Sequence, residues 1–270
     1  METDDGTYDL TAVKPDLTSF DDLARAATVT DAGVDEVAER LLDRAPATEE
    51  EGPPLAPVAD EVWAAGVTYA ISEQAREAES GMPDMYLDVY EAERPEVFFK
   101  ATPGRTVGPG EAVGVREDAE WNVPEPELGV VLHRGDIVGY TVGNDVSSRD
   151  IEGANPLYLP QAKVYDRCCS LGPCVVSAES VGDPHDLEMS MTIGRDGEQV
   201  FEGSTSTAEM VRTCEELVSY YTRHNAVPER AVLLTGTSIV PPDEFTLREG
   251  DSVGIDIEGI GTLENDVVTV

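Results

Sequence analysis

The chain has 270 residues and 40% hydrophobic content, enough for one large domain, or one domain with a small appendage, around a full core. Fifty-five acidic residues against eighteen basic ones give a formal net charge of −37, which repels phosphate backbones and argues against a nucleic-acid partner. Apolar runs at 130–132 and 231–234 argue against the other reading of such acidity, a disordered acidic chain.

Molar salt shortens the Debye length to about 3 Å and screens the self-repulsion, so the acidity reads as a halophilic cytoplasmic surface. There are three lysines, Lys14, Lys100 and Lys163; two survive mid-chain where nearly all others are gone, which invites a role for them. Four cysteines form no C-x-x-C pair, and the adjacent Cys168 and Cys169 in an apolar stretch read as buried thiols rather than a disulfide framework. No signal peptide and no apolar run near roughly 18 residues stands out, so a soluble protein without a membrane partner is expected.

In chain order, helical spacing over residues 20–44 predicts one or two short helices, and the Glu/Pro-rich stretch 45–57 reads as a linker. Residues 1–60 are thus expected to form a small N-terminal domain with its linker, and 61–270 the catalytic domain. Strand 62–69, helix 71–80 and strand 97–100 follow. Strands 127–132 and 137–142 flank the turn at 133–136 as a hairpin. Further strands are predicted at 174–177 and 188–193, with Asp196-Gly197 as a hairpin turn. Residues 207–223 place Met210, Val211, Cys214, Leu217, Val218 and Tyr221 on one side of a helix. Strands 233–237, 252–257 and 262–270 complete an α+β, mainly β pattern.

Trp121-Asn122-Val123-Pro124-Glu125-Pro126-Glu127-Leu128 is extended, because its prolines discourage helix. Period two then places the Glu125 and Glu127 carboxylates on one face, where they repel unless a proton or cation lies between them. Such oxygen ligands suit Mg²⁺ or Mn²⁺. A solvated strand edge is the plainer alternative, and E-x-E recurs in this chain at Glu77/Glu79 and Glu91/Glu93. Downstream, a strand runs into Asn144-Asp145-Val146-Ser147-Ser148-Arg149-Asp150, where Asp145 offers a third oxygen ligand. Arg149 and Asp150 either contact substrate or pair with each other. Lys163, set among apolar residues, is either desolvated or a snorkelling surface lysine. His133, His185 and His224 fall in predicted turns or at a helix end, which argues against a histidine-centred site. G-x-S-x-G, P-loop and dinucleotide fingerprints are absent.

Taken in order, Gly66-Val67-Thr68-Tyr69, Phe98-Phe99-Lys100, Pro124-Glu125-Pro126-Glu127-Leu128, Asn144-Asp145-Val146-Ser147-Ser148-Arg149-Asp150, Lys163, Leu171-Gly172-Pro173 and Leu234-Thr235-Gly236-Thr237 resemble the fumarylacetoacetate hydrolase superfamily over residues 61–270. The resemblance implies a mixed β-roll catalytic domain. It also implies a bound Mg²⁺, with Mn²⁺ or Ca²⁺ as alternatives, and a homodimer or homotetramer. By position it assigns Glu125, Glu127 and Asp145 to the metal, Lys163 to its side, and Thr237 to substrate. In the hydrolases a histidine follows the Gly-x-x-Tyr strand; here Ser72 stands in its place, which argues against C–C hydrolysis.

The stretch from Glu93 to Lys100 and Asn155-Pro156-Leu157-Tyr158-Leu159-Pro160-Gln161-Ala162-Lys163 resemble the archaeal 2-keto-3-deoxypentonate dehydratases. That subgroup implies Glu96 and Lys163 as catalytic residues, and Ser72, Lys100, Arg149, Asp150, Tyr158 and Thr237 as substrate contacts. The expected reaction is dehydration of a small α-keto acid, 2-keto-3-deoxyxylonate or 2-keto-3-deoxyarabinonate, to 2,5-dioxopentanoate. An acylpyruvate-type hydrolase or 3-oxoacid decarboxylase, and a non-catalytic metal-stabilised binding protein, are the alternatives.

Overall fold

The structure is a computed structural model and describes residues 1–3, 5–48, 59–69 and 89–270. The predicted helix 71–80, most of the linker 45–57 and Ser72 lie outside the described residues.

The chain opens with the short strands β1 (Glu2–Thr3) and β2 (Gly6–Thr7), then helices α1 (Phe20–Thr30) and α2 (Val34–Leu42). Ser19 and Asp22 form a capping box at the start of α1, each side chain meeting the other's backbone N–H. The apolar faces of the two helices bury Leu23, Ala27, Val34 and Val37 together with Leu10 and Leu17, and this cluster rests on Val138. Of the one or two short helices expected over 20–44, two are present.

The main sheet takes strands β3 (Glu61–Gly66), β4 (Glu96–Ala101) and β5 (Thr106–Val107); β6 (Val113–Val115) belongs to a second sheet and β7 (Asn122–Val123) to a short ribbon. The hairpin β8 (Pro126–His133) and β9 (Asp136–Asp145) follows. It turns through Arg134 and Gly135, both at positive φ (54° and 93°), the backbone that matches the twist of paired strands. β10 (Ser147–Ser148) pairs with β7. Helices α3 (Arg149–Ala154) and α4 (Leu159–Lys163) lead to β11 (Cys169–Ser177), and α5 (Ala178–Val181) to the hairpin β12 (Glu188–Arg195) and β13 (Glu198–Ser206). Asp196 and Gly197 supply its turn at φ 53° and 82°. Helix α6 (Cys214–Thr222) and strands β14 (Arg230–Leu234), β15 (Ser252–Ile257) and β16 (Gly261–Thr269) complete the chain.

Among the described residues a seven-stranded sheet runs β4-β3-β14-β8-β9-β11-β5 and a five-stranded one β13-β12-β15-β16-β6. Both are mixed: β14 runs parallel to β3, β11 to β5 and β16 to β6, and the other pairs are antiparallel. The sheets share one core, in which Leu128, Val130 and Val142 meet Met189, Met191, Ile255 and Leu263. The opposite face of the large sheet closes over a second cluster, with Val62, Ala64, Ala101, Val131, Cys169, Leu171 and Leu234. Every residue of β8 is buried because both of its faces are covered. One turn after β4, the chain joins β5 at the opposite edge of the sheet, so the sheet curls and brings β4 against the end of β9. The fold is the mainly β mixed roll that the sequence predicts.

Four local expectations need correction. The strand predicted over 62–69 ends at Gly66, where Val67 takes a positive φ of 55°. The helix predicted over 207–223 is confined to Cys214–Thr222, because Thr213 caps it and the Val211 N–H donates to the Thr68 carbonyl at 2.8 Å. Val211 is accordingly 42% exposed. The strand predicted over 233–237 ends at Leu234, where Thr235-Gly236-Thr237 turns away with Gly236 at φ +85°. The strand predicted over 174–177 begins at Cys169.

Candidate metal centre and active site

Three segments deliver the acidic cluster. Glu127 lies on β8 facing Gly143 of β9, and Asp145 follows two residues later on the same face. Glu125 stands just before β8, held there because the Asp145 N–H donates to its carbonyl (2.9 Å) and its own N–H donates to Asn144 Oδ1 (3.1 Å). One carboxylate oxygen from each of Glu125, Glu127 and Asp145 lies within 4.8 Å of the others. All three are buried, at 7%, 2% and 1% exposure.

Three cations surround them. Lys163, at the end of α4, donates to Glu125 Oε2 (2.6 Å), Ser147 Oγ (2.7 Å) and Asp145 Oδ2 (3.4 Å). The Arg149 guanidinium donates to Glu125 Oε1 at 3.0 Å. Lys100, on β4, is wholly enclosed; its ammonium meets Asp145 Oδ1 at 2.5 Å and donates to the carbonyls of Val146 (2.9 Å) and Lys163. Its side chain reaches the carboxylates from beneath, with no surface open to a ligand. Glu127 has a different neighbourhood. It accepts the Gly236 N–H at Oε2 (2.5 Å), and its ion pairs among the described residues are none.

The electrostatics follow from these partners. Burial pushes Glu125 up, but the Lys163 and Arg149 charges overrule it and bring its pKa down to about 2. Burial, then the like charges of Asp145 and Glu125, hold the Glu127 carboxyl well above the usual range. Burial pulls Lys163 down, but Asp145 and Glu125 more than reverse this and fix it as an ammonium. Such a set fits a hard divalent cation: the donors are carboxylate oxygens, they are pre-gathered and buried, and burial and like charges hold one of them well above the usual carboxyl range. A cation there would remove that repulsion.

Glu96 opens β4 opposite Gly66. A Cβ at Gly66 would collide with its carboxylate, so glycine leaves the space that Glu96 occupies. Burial, then the nearby Glu152 charge, raises its pKa to about 7 even though Lys163 pulls the other way. Between Glu96 and Lys100 on the same face of β4, the Phe98 ring lies 5.5 Å below the Lys163 ammonium.

The remaining predicted contacts are spread around this centre. Thr237 is half-buried beside Gly236, its Oγ1 accepting the Ile239 N–H at 3.1 Å. Asp150 accepts the Glu120 N–H at 2.9 Å, so Arg149 and Asp150 each have partners outside their own pair. Tyr158 is 45% exposed at the end of the 156–158 turn. Lys163 is not the snorkelling surface lysine of the plainer alternative, being 5% exposed. His133, expected in a turn, ends β8 and is buried, with Nδ1 3.0 Å from Asp21 Oδ1 of α1. Asn144, Ser147 and the Gly236 N–H hold the centre together and were not singled out by sequence. For the first two, the polar run that starts in the last residues of β9 was the available signal. A separate hollow of about 590 Å³ on the five-stranded sheet, lined by residues such as Thr192, Gln199, Ser252 and Asn265, contains none of the sequence-predicted site residues.

Residues 61–268 match the family described as fumarylacetoacetate (FAA) hydrolase C-terminal. The chain belongs to the fumarylacetoacetate hydrolase family. Within it, the chain is 66% identical over 271 residues to a probable 2-keto-3-deoxyxylonate dehydratase of Haloferax volcanii, covering 99% of this chain and 94% of that protein. It is 47% identical over 208 residues to the 2-dehydro-3-deoxy-D-arabinonate dehydratase of Saccharolobus solfataricus, covering 75% of this chain and 70% of the relative. A solved 2-keto-3-deoxy-D-arabinonate dehydratase complexed with magnesium and 2,5-dioxopentanoate shares the fold with a TM-score of 0.73 at 45% identity, over 79% of this chain and 74% of that one.

Proposed function

We propose that this protein is a Mg²⁺-dependent hydro-lyase that dehydrates a 2-keto-3-deoxypentonate, 2-keto-3-deoxyxylonate or its arabinonate epimer, to 2,5-dioxopentanoate. The observation that carries the reading is the convergence of Glu125, Glu127 and Asp145 on one point beside the Lys163 ammonium and the Glu96 carboxyl. The activities of the two dehydratase relatives support it, as does the magnesium in the solved neighbour.

Glu125, Glu127 and Asp145 would hold the ion, which when bound supplies a Lewis acid for the keto-acid head and for negative charge developing at its carbonyl. Lys163, Lys100 and Arg149 offset the three carboxylates, so that with the divalent ion the centre is net positive and attracts an anionic substrate. Lys163 stays charged and therefore cannot take a proton; it orients substrate oxygen and can donate to a departing hydroxyl. Glu96, poised near pH 7, is the group suited to remove the C3 proton, and such transfers contribute about 10²–10⁴-fold. Thr237 and Asp150 are assigned to substrate by position in the family, and Lys100, wholly enclosed against Asp145, acts from below as a positioning residue rather than a substrate contact. Ser72 and Tyr158 are assigned to substrate on the same ground.

Residues 1–60 form a small N-terminal unit in this reading, supported by the separate apolar cluster of α1 and α2 and by a family match that starts at residue 61. A halophilic, cytoplasmic setting is supported by the net charge of −37, which also disfavours nucleic acid. Among the described residues no helix is long and apolar enough to cross a membrane. Self-association as a dimer or tetramer is supported by Leu157 and Tyr158, exposed side by side at 83% and 45%.

The test is product analysis in molar KCl with Mg²⁺, offering both keto-deoxypentonates and an acylpyruvate. The reading expects 2,5-dioxopentanoate from at least one sugar acid, and its loss in Glu96→Gln and Lys163→Ala. Acylpyruvate cleavage without semialdehyde would instead favour the hydrolase.

A further inference from the structure

The Glu127 carboxylate has no ion pair among the described residues, and its one hydrogen bond there comes from the backbone, the Gly236 N–H at 2.5 Å. That N–H and the Thr235 carbonyl are two ends of a single planar peptide unit, so whatever fixes the carbonyl also fixes the direction of the N–H. The carbonyl is held by Thr68, whose Oγ1 donates to it at 2.5 Å. Both residues of this link are enclosed, Thr68 at 2% exposure and Thr235 at 0%.

Thr68 is itself anchored. It follows the end of β3, where Val67 takes φ 55°, a left-handed backbone that a β-branched residue adopts only at a cost. Beyond that turn the Thr68 carbonyl accepts the Val211 N–H at 2.8 Å, and Tyr69 bridges to Met210. On the far side of the peptide, the N–H and the hydroxyl of Thr235 both donate to the Leu128 carbonyl, at 3.1 and 3.0 Å, one residue from Glu127 on β8. The peptide is therefore pinned along its edge to β8 and at its carbonyl to Thr68, with its N–H left to point at Glu127. A bond accepted by the carbonyl also polarises the peptide and strengthens the bond that its N–H donates.

We propose that Thr68 is a positioning residue for the metal: its hydroxyl sets the plane of the Thr235–Gly236 peptide and thereby holds the Glu127 carboxylate in the orientation that takes the ion. Groups that orient a metal ligand from behind are typically worth about 10–100-fold in metal affinity. The role rests on the reading of Glu125, Glu127 and Asp145 as a Mg²⁺ site and is independent of which substrate the site takes.

The test is calorimetric titration of Mg²⁺ into the full chain in molar KCl, with melting of the metal-free proteins alongside. Thr68→Val keeps the shape and removes the hydroxyl, and is expected to weaken Mg²⁺ binding about tenfold or more. Thr68→Ser keeps the hydroxyl and is expected to bind Mg²⁺ like the parent. Thr68→Cys, with a weaker donor, is expected to fall between them, and decides the matter should the valine variant not fold. Loaded with Mn²⁺, the parent and Thr68→Ser are expected to share one EPR signature, and Thr68→Val to depart from it. Parent-like Mg²⁺ affinity in Thr68→Val, or in Thr68→Cys where valine does not fold, overturns the proposal even if the melting temperature drops, because the bond then serves stability alone. Thr68→Ser as weak as Thr68→Val overturns it too, since the methyl group and not the hydroxyl is then what counts. A parent that binds no Mg²⁺ at all removes the metal reading itself, and the proposal with it.

Discussion

Glu127 differs from its two partners in lacking an ion pair among the described residues, and this sets the chemistry of the acidic cluster. Its proton affinity is raised by burial and by Asp145 and Glu125, so the group is protonated over a wider pH range than an ordinary carboxyl. Binding a divalent ion must expel that proton. The affinity for Mg²⁺ is therefore expected to fall as pH drops through this raised pKa, with proton release detectable by calorimetry in buffers of different ionisation enthalpy. Proton-free, pH-independent binding would contradict the assignment.

The two mid-chain lysines should separate experimentally. Lys163→Met removes a cation that competes with the metal, so Mg²⁺ should bind at least as tightly while kcat/KM falls about 10²–10⁴-fold. Lys100→Met strips Asp145 and two backbone carbonyls of a fully enclosed partner. It should cost on the order of 3 kcal/mol of stability by thermal melting, with Mg²⁺ recovering part of the loss. The sequence marked both lysines by their rarity but could not distinguish their depth. Phe99-Lys100-Ala101 reads the same whether the ammonium faces substrate or the underside of the carboxylates, and only the curl that brings β4 to β9 decides it.

At the scale of elements, the site depends on where strands stop. Glu125 and Glu127 were legible because period two is a local property of an extended, proline-flanked segment, and Asp145 because a polar run follows an apolar strand. The end of β14 was not legible: 233–237 reads as continuous strand, yet at Gly236 the chain adopts φ +85° and aims its N–H at Glu127. A side chain at Gly236 would run into Thr68 Oγ1 and lie 3.0 Å from the Ala65 carbonyl. Gly236→Ala is thus expected to lose about 2 kcal/mol of stability and to weaken Mg²⁺ binding, measured by melting and by titration. The over-long helix at 207–223 failed for a related reason. Its apolar spacing is real, but Met210 and Val211 are taken up by backbone pairing with Tyr69 and Thr68, a tertiary contact invisible to periodicity.

For the whole molecule, mainly β character and the two-helix N-terminal segment followed from patterning, whereas the closure of the sheet into a roll depended on pairings distant in sequence. The net charge of −37 predicts that this fold gains stability with salt. Raising KCl from about 0.1 M to about 2 M shrinks the Debye length from about 10 Å to below 3 Å. The melting temperature should rise on the order of 10 °C, a few kcal/mol at about 2–4 °C each. A flat or falling Tm over that range would mean that surface repulsion is not a significant term.

The most direct measurement of the metal centre is an anomalous difference map from a crystal soaked in Mn²⁺. A single strong peak bonded to carboxylate oxygens of Glu125, Glu127 and Asp145 at about 2.0–2.2 Å is the expected result. Saturating Mn²⁺ with no peak among these three side chains, or a peak held by other residues, would contradict it.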